Sequence, residues 1–75
     1  MVVNSLDCRG QRCPLPIVSL AMAVRGLAVG EELEILVTDP AFPADIQAWI
    51  RKTGHALLAM ELTEGVHKAV IRRVG

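Results

Sequence analysis

Two cysteines, Cys8 and Cys13, are the residues of this chain best suited to covalent chemistry, and their surroundings differ. Cys13 is followed by Pro14, Leu15 and Pro16 and preceded by Arg12, with Arg9 slightly further back. Proline is favoured at the first helical position, where a missing N–H costs nothing, so this segment reads as a turn passing into a helix. With Cys13 as N-cap and Pro14 as the first helical residue, the N–H of Leu15 is left to donate to the sulfur. The positive end of the helix dipole then favours a thiolate, the form of cysteine that attacks. Arg9 and Arg12, if they face the same way, push in that direction too. Pro16 disfavours helical backbone at Leu15, which offers a second geometry: the helix begins later and Cys13 stands just before it. Both geometries predict an exposed, activated sulfur held by a stiff backbone.

Cys8 ends a segment expected to be a half-buried strand and reads as a packing residue. The C-x4-C spacing is not the C-x-x-C of a thioredoxin-like redox pair. Nor do Cys8 and Cys13 with the distant His55 and His67 match a common zinc site, so no metal is assigned. Phosphate-binding glycine motifs and G-x-S-x-G are absent, and no cofactor is assigned. His55 and His67 are read as surface residues rather than bases for Cys13. Asp39 reads as a turn former before Pro40; if the strands preceding Cys13 and Asp39 run parallel, it also shares an edge with the cysteine.

These residues need elements to position them. Val2 to Cys8 is read as a strand and Arg9 to Gln11 as a turn. A helix over Pro14 to Arg25 carries Ile17, Ala21 and Val24, joined by Val18 and Leu20, and ends at a left-handed Gly26. Leu33 to Thr38 is a strand with Leu33, Ile35 and Val37 on one face. Beyond Pro40 and Pro43 a second helix presents Ile46, Trp49, Ile50 and Thr53, with Asp45, Gln47, Arg51 and Lys52 opposite, and Gly54 caps it. Ala56, Leu58, Met60 and Leu62 are expected on one face of a strand that turns at Thr63-Glu64-Gly65 into Val66 to Arg73. The order β-α-β-α-β-β predicts a two-layer α/β sandwich: a four-stranded mixed sheet with two helices on one face. Trp49 is expected to be its largest core side chain.

A length of 75 residues, 52% of them hydrophobic, predicts one packed domain over residues 1–75. The apolar run Pro14 to Val24 is too short to span a bilayer, no targeting signal is read, and membrane association is not expected. Eight basic residues balance eight acidic ones and the only aromatics are Phe42 and Trp49, which argues against nucleic-acid binding. Two cysteines are too few for a secreted disulfide scaffold, so a cytoplasmic setting is expected.

The Cys13-Pro14-Leu15-Pro16 motif resembles the C-P-x-P signature of the TusA-like (SirA-like) sulfur carriers. Leu6-Asp7-Cys8-Arg9-Gly10, Thr38-Asp39-Pro40 and Arg51-Lys52-Thr53-Gly54-His55 are also similar to the family pattern, and the resemblance covers essentially the whole chain. It implies four strands and two helices, and a Cys13 that accepts sulfane sulfur as a persulfide from a cysteine desulfurase or rhodanese-like donor and passes it to a downstream acceptor protein. Such carriers serve tRNA thiolation, molybdenum-cofactor assembly or sulfur oxidation. A covalent carrier of this kind is not a self-sufficient catalyst. Gln11, Arg9, Arg12 and Leu15 are the expected docking residues. Cys8 occupies a position where many members have a small non-thiol residue, which keeps a second reading open: a redox module with a reversible Cys8–Cys13 disulfide. A third, an RNA-binding module, rests on fold analogy alone.

Overall fold

Strand and helix patterns in the sequence become six elements in the computed structural model, which describes residues 4–75. They are β1 (Asn4–Cys8), α1 (Leu15–Arg25), β2 (Glu32–Val37), α2 (Phe42–Thr53), β3 (Ala56–Thr63) and β4 (Val66–Arg72). Val2 and Val3, expected to open the first strand, lie outside the described residues. The sheet order is β1-β2-β4-β3. β1 runs parallel to β2, with Cys8 opposite Val37, and β4 runs antiparallel to both β2 and β3.

Alternation in β2 buries Leu33, Ile35 and Val37, and their β4 partners Ile71, Ala69 and His67 are buried on the same face. Pro16, Leu20 and Val24 of α1 and Phe42 and Ile46 of α2 are the buried helical residues, the aliphatics and Phe42 joining these strand residues in one core. Two helices therefore cover one side of a mixed sheet, as the element order predicts. The β3–β4 turn is tight because Glu64 and Gly65 both take positive φ, 50° and 78°, the geometry of a two-residue hairpin. Gly54 closes α2 in the left-handed conformation at φ 80°.

Several expectations from periodicity are corrected. Gly26 is right-handed, φ −84°, and α1 is instead closed from outside its own turn: Nη1 of Arg73 donates to the carbonyls of Val24, Arg25 and Leu27. Val18 and Thr53, assigned to inner stripes, are exposed. In β3 the pairing slips between Leu57 and Ala59, so the bulge at Leu58 breaks the expected alternation. Leu57 and Met60 pack on the core, while Leu58 and Leu62 are exposed. His67 is buried against the Phe42 ring, centroids 6.2 Å apart, rather than at the surface. His55 is half-buried beside Trp49, and its Nδ1 accepts the N–H of Val74 at 3.0 Å.

The central ring is Phe42, 1% exposed, whereas Trp49 is only partly buried at the rim of the core. Phe42→Ala should cost about 3 to 5 kcal/mol, the usual range for emptying a buried aromatic site, and Trp49→Ala less. Urea denaturation of both variants checks the order; a larger loss at Trp49 would contradict this packing.

Candidate functional site

Parallel pairing of β1 and β2 makes both strands end on one edge, and the loops that leave them, residues 9–14 and 38–41, meet there. Two hydrogen bonds fasten the loops together. The N–H of Gly10 donates to Thr38 Oγ1 at 2.9 Å, and the N–H of Cys13 donates to Asp39 Oδ2 at 2.6 Å. Gly10 takes φ 83°, a conformation that L side chains rarely adopt, and the turn is closed by Gln11 N–H on Cys8 O at 3.2 Å. The other oxygen of Asp39 accepts the N–H of Ala41 at 3.0 Å, and its carbonyl accepts that of Phe42 at 3.1 Å. Asp39 thus holds the start of α2 and the cysteine loop at once. Its carboxyl lies below the ordinary carboxylate range because it accepts the Ala41 and Cys13 N–H groups, with the charges of Arg12 and His67 adding to this.

Pro14 is the N-cap of α1, not its first residue, and the Cys13–Pro14 peptide is cis. The helix begins at Leu15, one residue after Pro14, so Cys13 stands just before it, exposed and free, as in the second geometry, yet Leu15 is helical despite Pro16. The N–H of Leu15 does not reach the sulfur, since it donates to Arg12 O at 2.8 Å. Arg9 is also turned elsewhere, with Nε and Nη2 on the Asp7 carboxylate at 2.9 and 2.8 Å. These hydrogen bonds and a third from the Arg9 backbone N–H hold Asp7 at about 2, down from 3.8.

The electrostatics at the sulfur therefore run opposite to the expectation. The Cys13 thiol is pushed up, first by a hydrogen bond to the Asp45 carboxylate, then by desolvation and the charges of Asp45 and Asp39. Asp45 was assigned by helical periodicity to the solvent side of α2; its place in the site follows from how α2 packs beside α1. No local sequence signal marks it. Cys13 and Asp45 line one groove with Pro14, Ile17, Trp49 and Lys52, a largely apolar groove between the helices that also holds an acid and a base. On the outer side of α1, Leu15, Val18 and Met22, at 54%, 48% and 67% exposure, form an apolar stripe that starts beside Cys13. Arg12 lines a separate recess with Gln11, Thr38 and Asp39.

Cys8 is 1% exposed within the core, as its strand position predicts, and burial raises its thiol pKa. It is a free thiol beneath the site rather than part of its surface. Among the described residues, no group of three or more His, Cys, Asp and Glu is placed to hold a metal ion, and no helix is long and apolar enough to cross a membrane.

The fold and an exposed cysteine just before the first helix define a small α/β domain that displays a free thiol. The family model described as Sulfurtransferase TusA matches residues 4–73, and the chain belongs to that family. One relative, named "Putative sulfur carrier protein YrkF" in Bacillus subtilis, is 39% identical over 93% of this chain, which spans 38% of that protein's length. A relative from Neisseria meningitidis, "Putative sulfur carrier protein NMA0882", is 38% identical over 92% of this chain and 93% of its own. The crystal structure of a SirA-like protein from Desulfitobacterium hafniense has the same fold: TM-score 0.84 at 21% identity, covering 97% of this chain and all of the other.

Asp39→Asn leaves one oxygen for two N–H groups, so the amides of Cys13 and Ala41 should exchange faster with deuterium and the denaturation midpoint should fall. Asp7 and Asp39 both bind a proton less tightly folded than unfolded, so their stabilisation is present above 3.8 and is lost as pH falls below it, for Asp7 toward about 2. The Asn variant should show a shallower acid limb in a pH series of denaturation midpoints. Mild peroxide followed by non-reducing peptide mapping should yield no Cys8–Cys13 bridge, because Cys8 would have to leave the core to form one.

Proposed function

We propose that this chain carries sulfane sulfur as a persulfide on Cys13, taken from a cysteine desulfurase or a rhodanese-like donor and passed to a downstream acceptor protein. The observation that carries the reading is an exposed sulfur on a proline-stiffened loop, opening into an apolar groove, in a chain of the TusA family. Loading needs no oxidant or reductant. Cys13 Sγ bonds to the outer sulfur of the donor's persulfide, the donor's S–S bond breaks, and its electron pair stays on the donor cysteine, which takes up the proton Cys13 sheds. Passing the sulfur on repeats the exchange with Cys13 as the departing thiol.

Each neighbour has a part in this reading. Pro14 and Pro16 fix the backbone on either side of Leu15, and Asp39 anchors Cys13 through its N–H. Leu15 and the stripe behind it offer an apolar contact suited to brief docking, with Arg12 beside it to orient a partner. Arg9, tied to Asp7, contributes to the shape of the turn. His67 is buried behind Asp39 and His55 is engaged by Val74, so neither is placed as a base, which suits a carrier that depends on its partners for catalysis. A single domain over residues 1–75, working in the reducing cytoplasm without a metal or cofactor, completes the reading. The receiving pathway would be tRNA thiolation, molybdenum-cofactor assembly or sulfur oxidation.

Incubation with a cysteine desulfurase and cysteine should add the mass of one sulfur atom to the wild-type chain and to Cys8→Ala, and nothing to Cys13→Ala. Intact-protein mass spectrometry reads this directly. Equal labelling of the Cys13→Ala chain would remove the proposal.

A further inference from the structure

The carboxylate of Asp45 is an unexpected neighbour for a sulfur that has to act as a nucleophile. Cys13 and Asp45 come from different elements, the loop before α1 and the first turn of α2, and line the same groove. The charged groups around them leave that carboxylate without a cation at the sulfur. Arg9 is held by Asp7, Arg12 lies on the Asp39 side, Lys52 is seven residues further along α2, and His67 acts on Asp39 from beneath. Asp39 itself adds a second negative charge, though its two oxygens are spent on backbone N–H groups.

We propose that Asp45 is a positioning residue for the carrier sulfur: its carboxylate accepts the S–H of Cys13 and keeps the free chain in the protonated, slowly reacting form. The inference rests on the sulfur-carrier reading for its biological meaning, but the chemistry concerns only this chain. Thiolates, not thiols, react with peroxide and with stray electrophiles, so a carrier in transit between partners is protected while the proton stays on. Cys13 is exposed, so desolvation alone does not supply that protection and the carboxylate adds to it. A partner that enters the groove separates thiol from carboxylate or brings a cation to neutralise it, and Cys13 then ionises where the donor's persulfide is waiting. The direction in which Asp45 and Asp39 push the Cys13 thiol agrees with this arrangement.

The test is the pH profile of alkylation by iodoacetamide, measured on the wild-type chain, Asp45→Asn and Asp45→Glu, with Cys13→Ala as the blank. For Asp45→Asn the inflection should move to lower pH and the rate at neutral pH should rise by roughly threefold to tenfold, because only the thiolate attacks. Asp45→Glu should follow the wild type. Sulfenic acid formation under dilute peroxide should rise in the same order. Circular dichroism of each variant separates this from a loss of fold, which would not move the inflection of a natively folded fraction. A profile for folded Asp45→Asn that superimposes on the wild type overturns the role of Asp45. Alkylation needs no donor, so the two readings fail separately. A shifted profile without any sulfur adduct on Cys13 supports the role of Asp45 and removes the carrier reading; a normal adduct with an unshifted profile does the reverse.

Discussion

The carboxylate of Asp39 is the joint on which the site depends. One oxygen receives the N–H of Cys13 and the other the N–H of Ala41, so the cysteine loop and the start of α2 are held by a single side chain. Hydrogen bonds to an ionised acceptor are shorter and stronger than neutral ones, and this one, at 2.6 Å, reaches the backbone N–H of the cysteine itself. The parallel β1–β2 pair brings the two loops to the same edge, and Thr38 on Gly10 adds a second fastening. Without that joint the groove beside Cys13 has no fixed wall, because Asp45 and Trp49 ride on the helix that Asp39 begins.

Local charge at the sulfur departs from the neutral balance of the chain as a whole. Eight positive and eight negative residues cancel overall, yet Cys13 faces Asp45 and Asp39 while Arg9 is engaged by Asp7 and Arg12 acts on Asp39. A helix start alone would favour the thiolate. Two carboxylates, together with partial desolvation, act against the first turn of a dipole whose nearest N–H is already spent on Arg12, and the thiol is pushed up. Under the proposed carrier reading, reactivity is thereby tied to what a partner brings. The apolar stripe on α1 and the groove flank Cys13 on two sides, so a docked protein can touch both.

The core that supports this site is small and mostly aliphatic, and its buried phenyl ring, Phe42, is also the first residue of α2. Packing and site geometry are consequently coupled at one position. His67 lies between them, against Phe42 on one side and influencing Asp39 on the other. Arg73 performs a comparable service at the opposite end, where it closes α1 through three carbonyls.

Period and turn chemistry in the sequence determined the order of elements, the buried faces of β2 and much of α1, the hairpin, and the choice of Cys13 over Cys8 as the surface sulfur. These are legible because they depend on neighbours within one or two turns of the chain: alternation, prolines before a helix, Gly54 and Gly65 after one element and within the next. The tertiary structure alone decided what reaches the sulfur. Asp45 is 32 positions from Cys13 and was read as solvent-facing, and Arg73 replaces the left-handed glycine expected at residue 26 from 47 positions away. The bulge in β3 that turns Leu57 and Met60 inward, and the burial of His67, likewise follow from how strands are registered against one another. Periodicity records which side of an element is apolar; the protonation of a group depends on charges a few ångströms away, and those are brought there by packing between segments that the sequence keeps far apart.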